Sequence, residues 1–228
     1  MSIVVPYDPT WPQRFQAASA ELLAVADHLF LRLEHIGSTS VPELAAKPTI
    51  DMMASVRRLL DGHAAQPALA ALGYELADTG MPERLFFQRL AGPEVSTHHL
   101  HVVTEDSWAT RNERLLRDYL RGHPQQARRY AELKRRLSRE LGRGEGYTRA
   151  KTALIQELVD AARDELGLPR VPVWEQEPPL SAWDANPPQS TTAASPMSPG
   201  NGDDDVRSLH TACTLYKRVT RSSARNPS

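Results

Sequence analysis

Cysteine is nearly missing from this chain. Cys213 is the one thiol among 228 residues, so no internal disulfide can form and no metal-type cysteine spacing exists. With no secretory pattern after Met1-Ser2-Ile3, the expected compartment is a reducing cytoplasm. Long apolar runs are missing too: no window approaches about eighteen consecutive apolar residues, so nothing is expected to span a membrane. Aromatic residues make up only 6% of the chain, too thin a set for the stacked platform of a nucleic-acid binder, and nucleic acid is not an expected partner. A formal net charge of −1 gives no overall bias toward anionic or cationic partners, and no internal repeat is visible.

What is present suffices for one real core, since 40% of residues are apolar. The C-terminal stretch does not take part in it. From Pro169 onward, prolines at 169, 172, 178, 179, 187, 188, 196 and 199 mix with Ser, Thr, Gly and an Asp203-Asp204-Asp205 run. Such a segment cannot offset a backbone ordering cost of roughly 1 to 2 kcal/mol per residue, so residues 1–168 are expected to form the domain and 169–228 a disordered tail. Charge is uneven within the domain: Arg111 to Lys151 carries thirteen Lys or Arg against five Asp or Glu. That excess describes either a solvated helical face or a surface that attracts anionic substrate groups.

The pattern of apolar residues and breakers predicts a helix over 10–28, strands over 29–36 and 49–56, and a short helix starting at Gln66-Pro67 and stopped by Gly73. Strands follow over 74–77, 84–90 and 97–104, then helices over 108–121, 123–141 and 147–166, with Gly122-His123-Pro124 and residues 142–146 as breaks. This order gives an α+β fold: one mixed sheet with flanking helices, chemistry at its edge, and a helical C-terminal half.

Chemistry concentrates around His35-Ile36-Gly37-Ser38-Thr39-Ser40-Val41-Pro42 and, eleven residues on from Ser40, Asp51. A Gly-Ser turn after an apolar strand brings N–H and hydroxyl groups close to a ligand, and Gly37 lets the chain approach phosphate without a β-carbon in the way. Asp51 stands in an otherwise apolar strand, where a carboxylate is costly unless it meets a metal, a cation or water. His99 and His101 project to one face of their strand, and two imidazoles so spaced can hold a metal, exchange protons or donate to phosphate. If that strand neighbours Asp51, an Asp-His-His cluster results. His35 either orients the turn or faces the site, and Lys47 either pairs with Asp51 or holds a substrate phosphate. Glu34 is a spare carboxylate or a solvated strand residue. Arg84, Arg117 and Lys151 are anion contacts or surface charges. Tyr119, Tyr130 and Tyr147 are read as helix-packing residues.

The segment from Leu33 to Asp51 resembles the GrpB family. The resemblance continues through His98-His99-Leu100-His101-Val102, Trp108, Arg111-Asn112, Arg117-Asp118-Tyr119-Leu120, His123-Pro124, Tyr130, Leu133-Lys134 and Tyr147-Thr148-Arg149-Ala150-Lys151, and covers about residues 3 to 166. It implies a branch of the nucleotidyltransferase superfamily typified by DNA polymerase beta, with a nucleotidyltransferase-like sheet. It also implies a divalent metal, Mg or Mn, shared by carboxylates two residues apart. Here the second of those positions is Met53, which is no ligand for Mg²⁺. Two further departures are Glu43, where family members commonly carry glycine, and Ser96, where they often carry arginine. The resemblance pairs Arg117 with Asp118 as an ion pair tying the helical half to the sheet.

The expected function is therefore binding of a nucleotide or phosphorylated small molecule, with metal-assisted transfer. Catalysis falls to Asp51, His99 and His101, which are also the expected metal ligands, and phosphate binding to His35, Gly37, Ser38, Thr39 and Lys47. Two alternatives stay open. One is a non-catalytic accessory module that kept the fold and lost the chemistry; Met53 favours it, as does the family's occurrence beside a coenzyme A biosynthetic kinase. The other is a transferase or ligase that uses the histidine pair on a non-nucleotide substrate.

Overall fold

The structure, a computed structural model, describes residues 3–79, 81–92, 95–142 and 145–173. Helix α1 (Trp11–Ala26) has Pro12 in its first turn, and Trp11, Ala18, Leu22 and Ala26 form its buried stripe. Strand β1 (Arg32–Ile36) runs into a single 3-10 turn, Ser38–Ser40, and a loop then leads to strand β2 (Ile50–Val56). Short helices α2 (Leu59–Ala64) and α3 (Gln66–Ala71) precede strands β3 (Tyr74–Ala77), β4 (Arg84–Leu90) and β5 (Ser96–Thr104). After a 3-10 segment, Glu105–Thr110, come α4 (Asn112–Gly122), α5 (Pro124–Leu141), α6 (Glu145–Ala150) and α7 (Thr152–Glu165).

Element order and type follow the sequence pattern, with four differences. Strand β1 starts three residues late because Leu29 and Phe30 turn their N–H groups back to the Ala26 carbonyl. Helix α2 was not expected. Residues 108–110 belong to the 3-10 segment rather than to a helix starting at Trp108. The last helix is broken at Lys151, which separates α6 from α7.

The sheet has the order β1-β2-β5-β4-β3; β2 and β5 run parallel and the other pairs antiparallel. Strand alternation divides its two faces. Ile50, Met52, Ala54, Phe87, Leu100 and Val102 point to one face and form the main core with Trp11, Leu22, Leu69 and Tyr74. Met53 and Val103 point to the other, where they bury Ile36 and Trp108 in a small second cluster. Asp51, His99 and His101 share that second face.

Helix α4 is fastened over β1 by three arginines spaced along one side of it. Arg114 and Arg117 both donate to Glu34, at 3.1 and 2.7 Å, and Arg117 also reaches the His35 carbonyl. Arg121 donates twice to the Ser40 carbonyl, at 2.7 and 3.1 Å. Arg117 completes its set on Asp118, the expected ion pair, and is 7% exposed. Glu34 is thereby neither a solvated residue nor a spare metal ligand, and Arg117 is a tie between helix and sheet rather than an anion contact.

Glu43 is the one non-glycine residue with positive φ (62°) among the described residues. The backbone there keeps a conformation that suits glycine, at a cost of roughly 1 to 2 kcal/mol for a side chain. Glu43→Gly is expected to leave stability equal or raise it by under about 1 kcal/mol, because relief of strain is offset by a freer unfolded chain. Glu43→Val is expected to lose about 1 kcal/mol or more; urea denaturation of the three proteins measures both differences.

Pro169 to Val173, assigned by composition to the tail, runs along α7 instead. Arg163 donates to the Pro169 carbonyl at 2.8 Å, and Gln156 exchanges hydrogen bonds with Val171 and Val173. The expected disordered tail lies, from residue 174 on, outside the described residues. No helix among the described residues is long and apolar enough to cross a membrane.

Candidate functional site

The site starts from a missing methyl group. Gly37 has φ 68° and ψ −172°, a region open to glycine alone, and a β-carbon built on it would stand 2.4 Å from Asp51 Oδ2 and 2.8 Å from Asp51 Cβ. The turn therefore lies directly against the carboxylate, as the β1–β2 register requires by pairing Ile36 with Asp51. Asp51 keeps 28% of its side chain exposed, so its surroundings open to solvent.

Parallel pairing of β2 with β5 sets His99 opposite Asp51 and His101 opposite Met53. His99 Nδ1 donates to Asp51 Oδ1 at 2.8 Å, a contact that fixes the tautomer and leaves Nε2 on the far side of the ring. Desolvation works against the Asp51 charge, but the hydrogen bond from His99 and the nearby His99, His101 and His35 outweigh it and hold the carboxyl below its ordinary range.

His101 is differently engaged. Arg84, itself paired with Glu113, donates to His101 Nδ1 at 3.0 Å, and desolvation pushes the imidazole down to about 4. His101 is thus a neutral ring with its proton on Nε2. Phe86 separates the two histidines, its ring centre 5.0 Å from each. Arg84, a candidate anion contact, is spent on this support.

His35 and Thr39 lie behind the turn. His35 stacks on Phe15 with ring centres 4.8 Å apart, and its Nε2 meets Thr39 Oγ1 at 3.0 Å; Thr39 then donates to the Thr49 carbonyl. Burial lowers His35 to about 4, so Nε2–H is the donor in this chain. Of the two roles foreseen for His35, orienting the turn is the one it fills. Thr39 and Ser40 are buried with their hydroxyls bonded internally, which leaves Ser38 as the hydroxyl turned toward the helical half.

From that half come Lys134, to which sequence reasoning gave no role, and Lys151, which it left between an anion contact and a surface charge. Lys134, 2% exposed, donates to Ser38 Oγ at 2.8 Å, and its amine sits 4.4 Å over the Tyr130 ring. Lys151 sits likewise, 4.4 Å over Tyr147. Loss of water lowers Lys134 well below the usual lysine range; it lowers Lys151 to about 8, with Asp51 opposing and Lys47 reinforcing the shift. Tyr130 and Tyr147 do pack in the helical core, as expected, and in addition they offer ring faces to two amines. A signal existed: Tyr-x-x-x-Lys, one helical turn apart, occurs at 130–134 and again at 147–151.

The donors do not fit a metal centre built by the protein. Asp51 is the one carboxylate at the turn and one of its oxygens receives His99; Met53 is fully buried where a second carboxylate would stand; His101 Nδ1 receives Arg84. Among the described residues no group of three or more His, Cys, Asp or Glu side chains is placed to hold a metal ion. Hard divalent cations ask for more oxygen ligands than this set supplies.

Comparison with known proteins identifies the family. The family model described as GrpB protein matches residues 2–161. A UPF0157 protein of Pseudomonas aeruginosa is 39% identical over 165 residues, covering 70% of this chain and 66% of that protein. The Bacillus subtilis UPF0157 protein YqkA is 35% identical over 136 residues, 59% of this chain and 39% of its own length, so the chain spans two thirds or less of these relatives. The crystal structure of the conserved protein GrpB from Enterococcus faecalis superposes with a TM-score of 0.66 at 30% identity, covering 72% of this chain and 99% of that one. The chain belongs to the GrpB family.

Proposed function

We propose that the Gly37 turn, Asp51 and the two lysines bind the phosphate end of a nucleotide or other phosphorylated small molecule, and that the protein is a nucleotidyltransferase-like transferase acting on it. The observation that carries this reading is the close approach of Gly37 to Asp51, with the buried Lys134 amine on Ser38 and the half-buried Lys151 amine within the field of both Asp51 and Lys134. Glycine removes the steric barrier to an oxyanion, Ser38 and the lysines supply donors and positive charge, and Lys47 adds to the same field.

His99 is the group suited to receive a proton. With Nδ1–H held by Asp51, its Nε2 can accept the proton of a hydroxyl or amine that attacks the phosphoryl group while the P–O bond to the departing phosphate or pyrophosphate breaks, and the Asp51 charge stabilises the imidazolium that forms. The lysines would meet charge developing on the phosphoryl oxygens. No step is assigned to a divalent ion, because the donor set does not fit one. His101 supports rather than joins His99, which weighs against a reaction run by the histidines as a pair.

A second reading is favoured by the buried Met53: an accessory module that binds the same ligands without turning them over. Calorimetry with nucleoside triphosphates and tripolyphosphate, followed by a turnover screen on whatever binds, separates the two. Asp51→Asn is expected to leave the fold intact and to lower turnover by at least about 100-fold, since the tautomer of His99 is then no longer fixed. Binding without turnover selects the accessory reading. Failure of every phosphorylated ligand to bind removes both.

A further inference from the structure

Buried cations are ordinarily found in contact with a carboxylate. Lys134 is not. It emerges from the inner stripe of α5 among Ala127, Tyr130, Ala131 and Leu137, and its hydrogen bond goes to a neutral hydroxyl. The charged and titratable groups that reach it are few. Arg135 and Tyr130 come from its own helix, Lys151 with Tyr147 from the junction of α6 and α7, Lys47 from the loop before β2 through its effect on Lys151, and Asp51 from β2. Asp51 is the single negative group in the set; it is shared by both amines and already receives the His99 N–H. One hydroxyl and one ring face do not replace the water that an ammonium group loses.

We propose that the Lys134–Lys151 pair is short of a proton in the free protein and takes one up from solvent when a phosphate group enters beside Ser38. This rests on the phosphate-binding reading given above and adds its regulation: occupancy responds to pH through the protein as well as through the ligand. Loss of water and the mutual repulsion of the lysines both favour a neutral amine at Lys134, and Lys151 titrates at about 8. A phosphate dianion places negative charge beside the two desolvated amines and draws one further proton onto the pair. A site with this coupling holds its ligand more tightly as pH falls and releases it as pH rises.

The test is calorimetric titration of the full chain with tripolyphosphate near pH 8, where Lys151 titrates, in buffers that differ in ionisation enthalpy. The expected result is uptake of roughly half to one proton per anion bound, with affinity falling by up to about tenfold per pH unit above that point. Sulfate, whose charge is constant in this range, should show the same uptake. Uptake with tripolyphosphate but none with sulfate would assign the proton to the ligand and overturn the proposal. Lys134→Arg, which is charged throughout, should bind with less uptake than the parent, and Lys134→Gln should lose most of the affinity. Should neither variant fold, the parent protein still decides. Binding with no proton exchange overturns the coupling and leaves the phosphate site standing, whereas no binding of either anion at any pH overturns the phosphate site itself.

Discussion

Gly37→Ala is expected to cost roughly 3 to 5 kcal/mol and to abolish anion binding, through two separate effects at one atom. The backbone at Gly37 occupies a region that alanine avoids, worth about 1 to 3 kcal/mol. The added methyl group also falls 2.4 Å from Asp51 Oδ2, inside contact distance, so the turn and β2 must separate. That separation would draw Ser38 away from Lys134 and Asp51 away from the ligand. Urea denaturation gives the stability change, and calorimetry with tripolyphosphate gives the binding. Combining Gly37→Ala with Asp51→Gly removes the overlap but keeps the backbone strain, so the double variant should recover part of the loss. A Gly37→Ala protein with parental stability would mean that the turn does not touch β2.

Lys134→Met should act in the opposite direction on stability while also losing the ligand. Replacing a buried amine that touches no carboxylate among the described residues with an apolar side chain of similar length is expected to stabilise the fold by about 1 to 3 kcal/mol near neutrality. The sign of its pH dependence follows from the depressed titration of Lys134. In the window between its folded value and about 10.4 the unfolded chain binds a proton that the folded chain does not, so the stability of the parent rises with pH there. The methionine variant lacks this slope. Its advantage should be largest at low pH and fade toward the ordinary lysine range, as thermal or urea unfolding across pH would record. A Lys134→Met protein less stable than the parent at every pH would place that amine in a solvated or ion-paired setting. The pairing of gained stability with lost binding is the mark of a residue kept for its ligand.

Much of this arrangement was legible in the sequence because it depends on local rules. Alternation along β5 puts His99 and His101 on one side and Leu100 and Val102 on the other. A glycine ahead of three hydroxyl residues marks the turn, and an acid in an apolar strand marks Asp51. What was not legible depends on long-range geometry. The parallel pairing that joins Asp51 to His99 links residues 48 apart in sequence, and no local pattern encodes it. Helix α2 escaped because Gly62 interrupts its short run; a β-carbon there would meet Leu85 and Val102 at 2.9 Å, so that glycine serves close packing of helix on sheet. The basic span resolves into two populations. Arg114, Arg117, Arg121, Lys134 and Lys151 point inward to carbonyls, carboxylates or the site, whereas Arg128, Arg135 and Arg139 are exposed on α5. Summed charge could not separate them. Lys134 occupies a core position of an amphipathic helix, and a lysine at such a position was the local signal that was overlooked.

The strand order has a consequence for how the molecule is assembled. Strands β1 and β2 form one antiparallel pair and β3 and β4 another, and β5 is the wedge inserted between them. Until Ser96 to Thr104 leaves the ribosome, each pair has an unsatisfied border, and Met52 and Ala54 on β2 lack their partners Leu100 and Val102. The same nine residues carry both histidines. Closing the sheet and bringing His99 to Asp51 are thus a single event in the life of the chain, and no half-built molecule can hold one without the other.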